Sequence, residues 1–97
     1  MRVRFLPEAE ADLRDAYGWY DEQEHGLADE FLRTVDGCLA AIVRHPEAFP
    51  VVHRHLRRAL LRRFPYGVFY LVGSDEVVVV GCLHAARDPK PWGRAAE

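Results

Sequence analysis

The chain has 97 residues and a mass of 11.1 kDa, room for one domain and no second. Its 49% hydrophobic and 29% charged residues are those of a folded globular protein, and with 7 Gly and 6 Pro they exclude a disordered charged tail and a collagen-like or low-complexity chain. The net charge of −2 hides an asymmetry: residues 1–48 hold eleven acids against five bases, residues 49–97 four acids against eight bases.

Met1–Leu6 alternates, Val3 and Phe5 to one side and Arg2 and Arg4 to the other, which predicts a short strand with one wet face. Pro7 then suits the first turn of a helix, with Glu8, Glu10 and Asp12 near its positive end. Ala9, Leu13, Ala16 or Tyr17, and Tyr20 recur at helical spacing, so this helix runs from Pro7 to Gln23. It stops near His25-Gly26, where glycine takes a left-handed conformation at little cost. Leu27, Phe31, Val35, Cys38 and Ile42, flanked by Leu32, Leu39 and Val43, form a second stripe that Pro46 ends. The short link makes the two helices an antiparallel hairpin.

Beyond Pro50 the pattern turns to strand. Arg57–Phe64 mixes apolar and basic residues up to Pro65, and Tyr66–Val72 is mostly aromatic and β-branched. Gly73-Ser74-Asp75-Glu76 is a turn, so Val77–His84 returns antiparallel. Val77–Val80 is apolar at consecutive positions, which predicts a central strand covered on both faces. The expected fold is α+β in the order β-α-α-β-β-β, an antiparallel helical hairpin on a small, twisted, mainly antiparallel sheet. Residues 1–97 form a single domain on this reading.

The chemistry on offer is narrow. The only serine, Ser74, sits in a hairpin turn without an elbow motif, and no glycine-rich nucleotide loop occurs. Cys38 and Cys82 lie among apolar neighbours and read as buried small hydrophobes, although Cys82 and His84, two apart on one strand, could pair as a thiolate–imidazole dyad. His53 and His55 have metal-ligand spacing but no nearby Cys or acid, so they read as surface histidines, with neither metal nor cofactor expected. The acids of the first helix, Glu8, Glu10, Asp12, Asp15, Asp21 and Glu22, read as a solvated face, since acid–base chemistry needs two carboxylates across a cleft. No stretch approaches the ~18 apolar residues of a membrane span, and the N-terminus lacks a signal-peptide core; the expected place is the cytoplasm.

What remains is cationic. Arg54, Arg57, Arg58, Arg62 and Arg63 crowd the segment after Pro50, and the tail adds His84, Arg87, Lys90, Trp92 and Arg94. Guanidinium groups bind phosphates and carboxylates bidentately, so an arginine-lined strand edge fits a macromolecular partner. With His84 as acid or base and Arg62, Arg63 and Arg87 steadying phosphate charge, the same residues could also assist attack on a phosphodiester.

Phe64-Pro65-Tyr66, Tyr70, and a valine-rich strand closing on His84-x-x-Arg87-Asp88-Pro89-x-x-Trp92 resemble the RelE/ParE superfamily of bacterial type II toxins. Phe5, Ala9, Leu13 through Tyr20, Gly26-Leu27, Phe31 and His45-Pro46 agree with it. The resemblance implies the same fold and a cognate antitoxin that wraps the toxin through its C-terminal segment, the pair able to assemble further into a heterotetramer. It leaves two targets open. RelE-like members cleave mRNA on the ribosome with lysines, arginines and a tyrosine or histidine; ParE-like members inhibit DNA gyrase. Here the sole lysine, Lys90, lies in the tail, and the Phe-Pro-Tyr and His-x-x-Arg-Asp-Pro segments look more like ParE. The favoured expectation is a gyrase-binding toxin with Arg57, Arg58, Arg62, Arg87 and Trp92 as partner contacts. The alternative is an mRNA endoribonuclease built on His84, Arg63, Arg62 and Arg87.

Overall fold

A computed structural model describes residues 1–94. Strand β1 (Arg2–Phe5) leads into α1 (Pro7–Gln23) and α2 (Leu27–Arg44), and four strands follow: β2 (Val51–His53), β3 (Leu56–Leu60), β4 (Tyr66–Val72) and β5 (Glu76–His84). The sheet runs β1-β5-β4-β3-β2, with β1 parallel to β5 and every other pair antiparallel. Both helices have the expected bounds. Pro7 occupies the first turn of α1, where its missing N–H costs nothing, and Gly26 enters α2 with φ +85°, a conformation that suits glycine.

The hairpin packs on one face of the sheet through an aromatic cluster. Tyr20 and Phe31 meet Phe64 at 5.0 and 5.3 Å between ring centroids, and Phe31 meets Tyr66 at 5.3 Å. These edge-to-face pairs explain the Phe-Pro-Tyr segment: its two rings anchor β4 beneath the helices. The opposite face has a smaller cluster of its own, Leu56, Phe69, Val80 and Leu83, with Leu6, Val52 and Leu71 packed against it. β5 lies between β1 and β4 and is covered on both faces, as its valine run predicts.

Two expectations need correction. The segment Arg57–Phe64 does not stay a strand: pairing stops at Leu60↔Gly67, and the chain turns through Arg63, whose φ is +71°. The loop is tied instead by the Leu61 N–H donating to the Tyr66 carbonyl at 2.9 Å. Nor is the arginine-bearing strand an edge. A short extra strand, β2, lies outside it, so Arg57 and Arg58 sit on an interior strand and alternate between the two faces.

Candidate functional site

At the end of β5 the chain folds into a tight turn that explains the His-x-x-Arg-Asp-Pro spacing. The His84 N–H donates to Asp88 Oδ2 at 2.8 Å, and the Asp88 N–H returns to the His84 carbonyl at 3.2 Å. The His84 ring closes the turn from inside: Nδ1 accepts the N–H groups of Ala86 and Arg87 at 3.2 and 3.1 Å. Its Nδ1 lone pair is therefore spent on local structure. The same ring meets Tyr66 edge-on at 5.5 Å. Burial pushes the Cys82 thiol up to about 12, the nearby Asp12 carboxylate adding to the effect, so it offers His84 a neutral thiol and not a thiolate.

The turn aims Arg87 back across the molecule. Its guanidinium donates to the Tyr66 hydroxyl at 3.3 Å and lies 5.9 Å from the centroid of the exposed Trp19 ring on α1. Lys90 beside it donates to the Ala85 carbonyl at 3.0 Å. Together Trp19, Tyr66, Arg87 and Lys90 line an open cleft of about 530 Å³ between α1 and the C-terminal segment. Burial raises the Tyr66 hydroxyl above the usual tyrosine range, so it meets Arg87 in the neutral form.

The far end of that cleft holds an ion pair. Asp12 Oδ2 and Oδ1 take NH1 and NH2 of Arg94 at 2.5 and 3.2 Å, and Asp12 Oδ2 also accepts the Cys82 N–H at 3.0 Å. Asp12 is thus no part of a solvated face; only 11% of its side chain is exposed. Between these ends Trp92 turns to the opposite side of the sheet. It stacks on His53 at 4.5 Å and meets Phe69 edge-on at 6.1 Å, so His53 serves the tail.

The basic residues after Pro50 are dispersed. Arg57 donates through NH1 to the carbonyls of Phe49 and Glu47 at 2.6 and 3.1 Å, pinning the loop that follows α2. Arg58 lies on the face away from the helices, its stem across Gly67, where a Cβ would come within 3.1 Å of Arg58 Cγ. Its Nε is buried and has no hydrogen-bond partner among the described residues. Arg63 pairs with Glu30 of α2. Arg62 and Arg63 join Arg44 at the rim of a groove of about 650 Å³ floored by Gly37, Cys38, Ala41 and Phe49. No carboxylate lines this groove among the described residues. Burial raises the Cys38 thiol to about 11, so it lines the groove as an uncharged apolar group.

Sequence reasoning did not single out Trp19, Asp12 and Arg94 as site residues. A signal existed for the first two: Asp12, Asp15 and Trp19 fall at i, i+3 and i+7, one helical face carrying two acids and an off-stripe tryptophan. Nothing local marks Arg94.

Residues 3–89 match the family described as the ParE toxin of the type II toxin–antitoxin system, parDE. Among solved structures the fold is similar to one titled "Chromosomal ParDE TA system from P. aeruginosa". The TM-score is 0.63 at 18% sequence identity, over 87% of this chain and 95% of that one. No curated protein matches the chain.

Proposed function

Since the chain belongs to the ParE toxin family of type II toxin–antitoxin systems, we propose that it acts in the bacterial cytoplasm by binding DNA gyrase, and that a cognate antitoxin neutralises it. The carrying observation is what His84 and the arginines are doing. A nuclease would need His84 free to move a proton beside Arg62, Arg63 and Arg87. His84 Nδ1 instead accepts two amides of its own turn. Arg62 and Arg63 line the α2 groove, whereas Arg87 lines the other cleft beside Trp19. That distribution suits two docking surfaces better than one reaction centre.

On this reading Arg87, with Trp19 as a neighbour, contacts the target from the α1 cleft, and Trp92 and Arg58 add contacts on the outer face of the sheet. The antitoxin sits in the α2 groove. Its apolar floor takes a helix, and Arg44 and Arg62 at the rim call for acids on that helix. Arg57 supports the groove from behind by fixing the loop that carries Phe49.

Gyrase supercoiling and cleavage assays, run beside primer extension on translated message, decide the target. Loss of supercoiling with intact message is expected; cut message with normal supercoiling overturns the reading. Substitution His84→Ala sharpens the outcome, because loss of a general acid or base costs about 100-fold or more in rate, and an interface contact far less.

A further inference from the structure

β1 ends early against β5. It pairs through Phe5↔Val79, and the last bond of that ladder is the Leu6 N–H to the Val79 carbonyl at 2.9 Å. Among the described residues the outer edge of β5 continues past this point without a strand beside it, and its ladder to β4 is irregular there: Tyr70 pairs with Val79 but Phe69 with Gly81, so Val80 is bulged. A half-buried strand edge with open backbone groups is costly and invites foreign strands. Two side chains fill the position. Asp12 of α1 accepts the Cys82 N–H, and Arg94 donates to the Val80 carbonyl at 3.2 Å while holding Asp12 bidentately. Gly81 lies between them, and a Cβ there would sit 3.0 Å from Arg94 NH1 and 3.2 Å from Asp12 Oδ2. The pair is seated on backbone.

We propose that Asp12 and Arg94 form a latch in place of the missing strand, and that this latch positions the C-terminal segment carrying Arg87 and Trp92. The segment from Pro89 to Gly93 contains no helix or strand, so its path depends on its anchors. At one end stands the His84–Asp88 turn, at the other Arg94, and between them Trp92 lies on His53 and Phe69. Releasing Arg94 frees one end of this span, and Trp92 leaves its stack. Asp12 and Arg94 are thus positioning residues, acting on the target through the groups between the anchors. In its activity arm this inference rests on the gyrase reading; its structural arm does not.

The test uses the full chain with Trp19→Phe, which leaves Trp92 the only tryptophan. Arg94→Ala is expected to raise acrylamide quenching of Trp92 about twofold and to speed exchange of the Cys82 amide about tenfold or more. Arg94→Lys keeps a cation and restores part of both. With Trp19 retained, Arg94→Ala weakens gyrase inhibition about tenfold while far-ultraviolet circular dichroism stays unchanged, and Trp92→Ala weakens it without speeding Cys82 exchange. Unchanged quenching and exchange in Arg94→Ala would overturn the latch. So would full inhibitory potency once Trp92 has been released. If the parent chain leaves gyrase untouched, the gyrase reading fails, and the latch is judged by quenching and exchange alone.

Discussion

The Tyr70 hydroxyl donates to the Pro46 carbonyl at 2.7 Å, joining the middle of β4 to the chain just beyond α2. Tyr70 is fully buried and packs edge-on against Phe49, so this bond fixes where the helical hairpin ends over the sheet. Tyr70→Phe keeps the ring and removes the donor, leaving the Pro46 carbonyl short of a partner. Urea unfolding should show a loss of about 1 kcal/mol with an unchanged slope. The α2 groove should loosen with it, because Phe49 lines that groove.

Stability should fall in alkali, and the sign follows from burial. Cys82 is pushed up to about 12 and Cys38 to about 11, and Tyr20, Tyr66 and Tyr70 are also raised, burial being the first cause for each. The unfolded chain ionises its thiols first, so above their ordinary value near 9 the native state binds more protons than the unfolded one. Stability is then full below that pH and is lost as pH rises toward the native values. For Cys82 alone the slope reaches about 1.4 kcal/mol per pH unit. Cys82→Ala should flatten the curve of denaturation midpoint against pH from about 9 upward.

Asp88→Ala should damage the turn without touching the core. It removes the acceptor of the His84 N–H, a loss of about 1 kcal/mol by thermal unfolding. Because the turn aims Arg87 at Trp19 and Tyr66, growth inhibition should fall more than stability does. Asp88→Asn, which keeps the acceptor oxygen, should recover most of both.

Charge reversal at Arg62 separates the two surfaces. Arg62→Glu should weaken antitoxin binding and its salt dependence by calorimetry, by about tenfold in affinity. Gyrase inhibition, which the proposed function assigns to the opposite cleft, should change little. Equal loss of both would place Arg62 in a shared surface.

Gly81→Ala should cost about 1–3 kcal/mol, since the added methyl meets a paired guanidinium and carboxylate that are themselves tied to β5. Chemical denaturation reads the loss, and Gly73→Ala, whose Cβ would meet Glu76 at 3.4 Å, is the milder comparison.

The helices were legible from the chain because their information is periodic and local. Pro7, Gly26 and the stripe from Leu27 to Ile42 fix both helices and the hairpin, and the valine run fixes β5 as a covered strand. β2 was not legible. Three residues, Val51–His53, are too few to show alternation, and they pair only because β3 lies beside them. The end of β3 at Leu60 was hidden for a similar reason: Leu61 and Phe64 are apolar because they enter the core from a loop, and apolarity alone does not tell a loop from a strand.

The sequence by itself determined the fold class, the helix bounds and the family, through signals that repeat along the chain or sit close together in it. The tertiary structure alone decided what each charge does. Arg57 became a clamp on backbone carbonyls, Arg63 a partner of Glu30, and Asp12 a partner of Arg94 at 82 residues' separation. Periodicity reports which face a residue occupies, but a charge acquires its role from whichever opposite charge or open backbone group folding brings within about 3 Å.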